Sequence, residues 1–119
     1  MTQYKLGEVE TVFANLIWDN EPLTSSHLVE LCADRLNWKK STTYTVLRRL
    51  CQKGVFQNEG GVVTARIGRE EFAARQSEEF VDQAFDGSLP RFLAAFASRK
   101  RLSGEEIAEL QKLIEQNRG

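Results

Sequence analysis

The chain has 119 residues, 41% of them apolar and 28% charged, with 8 Gly, 2 Pro and a formal net charge of −1. A chain of this length buries roughly two-thirds of its unfolded surface, and its low Gly and Pro content excludes collagen-like or low-complexity structure. No apolar run approaches the ~18 residues of a membrane-spanning helix, and the start Met1-Thr2-Gln3-Tyr4-Lys5 carries no apolar leader segment, so a cytoplasmic protein without membrane insertion is expected.

Leu6, Val9, Val12, Phe13, Leu16 and Ile17 recur at three- and four-residue steps, which predicts a first helix with one apolar stripe. Trp18 belongs to its core side, and Pro22 ends it, because proline disfavours a helical residue before it. Thr24, Ser25 and Ser26 offer N-cap hydroxyls for a second helix with Leu28, Leu31, Cys32 and Leu36 inside and Asn37 as its stop. His27 reads as a surface residue or a phosphate contact. In the connector Trp38-Lys39-Lys40 the indole is a core anchor. Ser41 or Thr42 then caps a third helix that buries Val46, Leu47 and Leu50 and stops at Gly54.

The period now shifts to two. Val55-Phe56-Gln57-Asn58 and residues 62–67 flank Glu59-Gly60-Gly61, a hairpin whose turn needs positive φ. Helical periodicity returns from Arg69 to Phe85, with Phe72, Ala73, Phe80, Ala84 and Phe85 on a broad face and Gly87 after it. Ser88 caps the next helix, with Pro90 tolerated in its first turn and Phe92, Leu93 and Phe96 on its apolar side. That helix ends near Arg99-Lys100-Arg101. Ser103 and Glu106 have capping-box spacing and open a last helix carrying Ile107, Leu110, Leu113 and Ile114 at the steps of a partner-helix seam. Cys32 and Cys51 fall within helical patterns and read as free, small core hydrophobes. With a single His beside them no metal site is expected, and no cofactor.

Three short helices followed by a hairpin is the order of a winged helix, whose third helix enters the DNA major groove. The fold class expected is mostly α with a small β-hairpin: a winged helix-turn-helix DNA-binding domain over residues 1–68 and a helical dimerisation domain over residues 69–119. Charge follows the same division. Residues 1–34 carry one base and six acids, residues 35–69 eight bases and one acid, and residues 70–119 seven bases and ten acids. A positive segment between negative flanks points to an anionic partner, although a solvated charged face produces the same count.

Lys39, Lys40, Arg48, Arg49 and Lys53 lie on or beside the third helix, and Ser41, Thr42, Thr43, Tyr44 and Thr45 are read as exposed at its start. Hydroxyls reach base edges or phosphates, and guanidinium groups pair with phosphate or with guanine. Ser41 also serves as a cap, and Tyr44 is equally a core residue. Arg66 and Arg69 on the wing are further backbone contacts. Phe72, Phe80, Phe85, Phe92 and Phe96 put five of the seven Phe into 25 residues, more rings than a small helical appendage hides. With Ile107, Leu110, Leu113 and Ile114 they form the expected homodimer surface, which presents two recognition helices to a dyad-symmetric operator. No phosphate loop or nucleophile elbow occurs, and the acidic pairs Glu70-Glu71 and Glu78-Glu79 read as solvated, so no enzyme is expected. The rival function is a winged-helix protein-interaction module without specific DNA binding, which the acidic pI of 5.9 keeps in play.

The chain resembles the penicillinase-repressor family, which includes the BlaI and MecI repressors and, as relatives, the copper-responsive CopY repressors. The resemblance rests on Leu6-Gly7-Glu8-Val9-Glu10 with Leu16-Ile17-Trp18, and on residues 38–50 with Lys53-Gly54. Phe85-Asp86-Gly87-Ser88-Leu89 and residues 102–110 extend it through the second half. It implies a homodimeric winged-helix repressor that holds target genes off, with DNA contacts at Ser41, Thr42, Thr45 and Arg49; the best-known members often have Lys where Ser41 stands. It also implies a membrane sensor-linked protease system as a partner, acting at an Asn-Phe bond in the dimerisation helix. That protease-sensitive bond aligns with Ala95-Phe96, where Ala replaces the Asn. The copper-responsive branch ends in a cysteine cluster, and the end Glu115-Gln116-Asn117-Arg118-Gly119 has none, which argues against copper sensing.

Overall fold

The computed structural model describes residues 4–119, so Met1, Thr2 and Gln3, which entered the leader argument, lie outside it. Its elements are α1 (Glu8–Asn20), β1 (Leu23–Thr24), α2 (Ser25–Leu36), α3 (Lys40–Gln52), β2 (Phe56–Glu59), β3 (Val62–Ala65), α4 (Arg69–Phe85), α5 (Leu89–Arg99) and α6 (Gly104–Gln116). The chain divides into a unit of residues 1–79 and a unit of residues 80–119, a boundary that falls within α4. The first is a winged helix and the second is helical.

The expected hairpin is one strand short of the sheet. β1 pairs antiparallel with β3, giving the order β1-β3-β2 with Leu23 opposite Val63. Two residues, of which the second is itself the cap of α2, are too short to show a period, and β1 exists only through its partner. It stops because the Glu21 carboxylate, not a backbone carbonyl, accepts the Ala65 N–H at 2.8 Å. The hairpin turn itself is as expected. Glu59 pairs with Val62 across Gly60 and Gly61. Their φ angles of 59° and 84° suit the two central positions of a type I′ turn, which side chains disfavour.

Phe13, Ala14, Leu16 and Ile17 of α1 meet Leu28 and Cys32 of α2, Val46, Leu47 and Leu50 of α3, and Val55, Phe56 and Val63 in one core. Burial of each large side chain contributes about 1.5–3 kcal/mol. The stripe expected on the first helix is therefore displaced. Leu6 precedes α1, Val9 is 50% exposed, and Ala14 takes a core place that the three- and four-residue steps gave to Val12. Trp18 donates its Nε1–H to the Ile67 carbonyl at 3.0 Å and packs near Phe56 and Phe72. Trp38 lies 5.5 Å from the Phe13 ring, as a core anchor should.

Thr24 caps α2, its Oγ1 accepting the His27 N–H at 3.0 Å, and Asn37 stops that helix with φ 56°. The start of α3 departs from expectation. Lys39 holds the N-cap position and no side chain caps the helix, so Ser41 and Thr42 sit inside the first turn with exposed side chains. Its end closes in a Schellman pattern, with Val55 N–H bonded to Leu50 O and Gly54 N–H to Cys51 O, and Gly54 has φ 82°.

In the second unit Ser88 caps α5, accepting the Arg91 N–H at 3.2 Å. Ser103 and Glu106 form the expected capping box on α6, with bonds of 3.0 and 3.1 Å. Neither α5 nor α6 buries a residue within this chain.

Candidate nucleic-acid interface

The outer face of α3 carries Lys40, Ser41, Thr42, Thr45, Arg48 and Arg49, all exposed, with Lys39 at its N-cap. Ser41, Thr45 and Arg48 fall at i, i+4 and i+7, so they form one line along the helix. Thr45 Oγ1 donates to the Ser41 carbonyl at 2.9 Å. Thr43 and Tyr44 correct the sequence reading. Thr43 is buried, with its hydroxyl donating to the Lys39 carbonyl at 3.4 Å. Tyr44 is half-buried and donates to Ser25 Oγ at 3.0 Å, so its hydroxyl serves the fold. Lys53 is the C-cap of α3, partly buried.

Two arginines of the positive segment are paired with acids of α1. Arg49 Nη2 lies 3.0 Å from Glu10 Oε2. Arg69 donates to Asn15 Oδ1 at 3.0 Å, pairs with Asp19 and covers the Trp18 ring, which makes it a structural tie of α4 to α1. Among the described residues, the α3-face cations without an ion pair are therefore Lys39, Lys40 and Arg48. Arg48, Tyr44, Leu47, Cys51 and Asn58 line a notch of about 200 Å³ between α3 and the wing strand β2. Arg66, exposed, follows β3. The sequence reading gave Glu10, Ser25 and Asn58 no role in this site, Ser25 being read only as a candidate helix cap. Each meets its partner through the tertiary fold, and no local spacing announces it.

The family model described as Penicillinase repressor matches residues 6–116. The chain belongs to the penicillinase-repressor family. It is 25% identical over 118 residues to the penicillinase repressor of Bacillus licheniformis, covering 96% of this chain and 92% of that protein. It is 22% identical over 115 residues to the methicillin resistance regulatory protein MecI of Staphylococcus aureus, covering 93% of this chain and 94% of the relative. A MecI protein of Mammaliicoccus sciuri is 21% identical over 115 residues, with the same coverage.

In this family member the aromatic residues expected together separate into two sets. Phe72 is 3% exposed and packs on Tyr4 and Trp18 in the winged helix, so it is a core residue and leaves the expected dimer surface. Phe80, Phe85, Phe92 and Phe96 form a ladder of rings with centroids 5.6–6.3 Å apart in the second unit. Phe80 is 54% and Phe96 44% exposed, and Ile107, Leu113 and Ile114 on α6 are exposed as well. Phe92, Leu93, Phe96, Leu102, Leu110 and Leu113 line a groove of about 630 Å³. The Ala95-Phe96 bond lies within α5, where the Ala95 carbonyl also accepts the Ser98 hydroxyl at 2.7 Å. Among the described residues no group of His, Cys, Asp and Glu is placed to hold a metal, and no helix is long and apolar enough to cross a membrane.

Proposed function

We propose that this chain is a cytoplasmic transcriptional repressor that binds a dyad-symmetric DNA operator as a homodimer, without catalytic chemistry. The observation that carries the reading is the outer face of α3, where Ser41, Thr42 and Thr45 stand exposed between the cations Lys39, Lys40 and Arg48. In a major groove this line reads base edges through hydroxyls and the Thr45 methyl, while Lys39, Lys40, Arg48, Lys53 and Arg66 neutralise phosphates. Tyr44 supports the helix from inside. The unit of residues 1–79, whose core takes in Phe72, is the DNA-binding part, and the helical unit of residues 80–119 the dimerisation part. The ring ladder and the α6 residues Ile107, Leu110, Leu113 and Ile114 close on a second copy. Exposed rings at this density favour burial in an interface. The names of the relatives, a penicillinase repressor and methicillin resistance regulatory proteins, support repression as the outcome.

The test is a titration of the purified chain against DNA flanking its own gene, at two salt concentrations, with unrelated DNA of equal length as competitor. The expected result is competitor-resistant binding that weakens steeply with salt, because each phosphate contact releases counterions. Binding no tighter than to random DNA at either salt overturns this reading in favour of a winged-helix protein-interaction module.

A further inference from the structure

We propose that Glu10 is a positioning residue that holds Arg49 for a DNA phosphate, so that Arg49 grips the backbone and does not read a base. The inference rests on the operator-binding reading above. Glu10 uses both carboxylate oxygens. Oε1 accepts the Gly7 N–H at 3.2 Å at the start of α1, and Oε2 holds Arg49 Nη2 at 3.0 Å. The carboxylate side chain is 25% exposed and the arginine 52%, so the pair has a fixed inner edge and an open outer one. A guanidinium is a planar fork of five N–H donors. Pinned on one side by a carboxylate, it presents the rest in a set plane, the geometry that phosphate oxygens accept.

Direction argues for phosphate over base. Arg49 follows Arg48 by one residue and leaves α3 about 100° around the helix from it, given 3.6 residues per turn. It stands i+4 from Thr45 on the exposed face, but its guanidinium is held against Glu10 of α1, whereas Ser41, Thr45 and Arg48 have no such tie among the described residues. In helix-turn-helix docking the recognition helix alone enters the groove, so a guanidinium held back against α1 flanks the groove wall, where the phosphates are. A paired arginine also adds little long-range field, so its effect is a short-range grip on any duplex.

The test measures affinity of the full-length chain for its promoter DNA and for random duplex of equal length. Arg49→Ala is expected to weaken both by the same factor, about ten- to a hundredfold for a lost charged contact. The ratio between the two DNAs stays that of the wild type. Glu10→Gln weakens both about three- to fivefold, the scale of a half-exposed pair, with the thermal midpoint held near wild type because the amide oxygen still accepts the Gly7 N–H. In the Arg49→Ala background, Glu10→Gln has no further effect on binding, which a purely structural role would not produce.

A specificity ratio that falls with Arg49→Ala overturns the inference, since that is the mark of a base reader. Tighter binding by Glu10→Gln also overturns it, by making Glu10 a competitor of DNA. A loss that persists in the double variant overturns it too. A wild-type chain with no preference for its promoter overturns the functional reading itself, and is thereby distinguished from these outcomes.

Discussion

The Tyr44 hydroxyl of α3 donates to Ser25 Oγ at 3.0 Å, and the Ser25 N–H donates to the Gly61 carbonyl of the wing turn at 2.8 Å. One residue at the start of α2 thus links α3 to the wing. Tyr44→Phe should cost about 1 kcal/mol in urea unfolding, the net value of one such hydrogen bond. Ser25→Ala should cost a similar amount, and the double variant little more than either, because the two changes remove one shared bond. Additive losses would show that the bond contributes nothing.

Position 61 and position 60 should respond with opposite signs. Gly61 has φ 84° and Gly60 φ 59°. Gly61→Ala forces a side chain into the left-handed region, at a cost of about 1–2 kcal/mol. Gly60→Asn restores the Asn-Gly pair that type I′ turns favour, with no atom within 4 Å of a Cβ there, and should raise stability by roughly 0.4–1 kcal/mol. Denaturant midpoints of the two variants check both signs.

Phe72 and Phe80 should separate folding from association. Phe72→Ala empties a core place and should destabilise the winged helix by about 3–5 kcal/mol. Phe80→Ser removes a ring that is half exposed in the single chain and should raise the dimer dissociation constant about 30-fold or more, as a central interface residue does. Sedimentation on dilution reads the second effect, and thermal unfolding of the winged helix should stay unchanged. An undiminished Phe80→Ser dimer would remove the ladder from the interface.

The thiols supply a pH test. Burial raises both Cys32 and Cys51 above the ordinary thiol value, opposed at Cys32 by a weaker hydrogen bond from Thr43. Folding therefore favours the protonated thiols. Their contribution is complete at neutral pH and is lost as the pH rises past about 9, where the unfolded chain ionises first. The urea midpoint should fall over that range, and less so in Cys32→Ala. Alkylation of Cys32 by iodoacetamide, followed by mass spectrometry, should wait on unfolding.

Much of this was legible because the signals are local. Ser103 and Glu106 announce a capping box by spacing alone, Gly60-Gly61 announces a tight turn, and the helix over Arg69–Phe85 is written in its period. Features set by tertiary pairing were not. β1 is two residues that become a strand only against β3. Ser41 looks like a cap, yet the cap lies two residues earlier, because Lys39 already takes the extended cap conformation. Phe72 shares a periodic face with Phe80 but lies two turns nearer the winged helix, against Tyr4 and Trp18. The ion pair of Arg49 with Glu10 joins residues far apart in sequence, and nothing in either neighbourhood marks the other.

The Glu21 side chain that takes the Ala65 N–H also occupies a β3 donor that a strand of another chain could otherwise pair with. An open strand edge recruits further strands from other chains. Here β1 is two residues long, Pro22 precedes it, and a carboxylate occupies the next donor of β3.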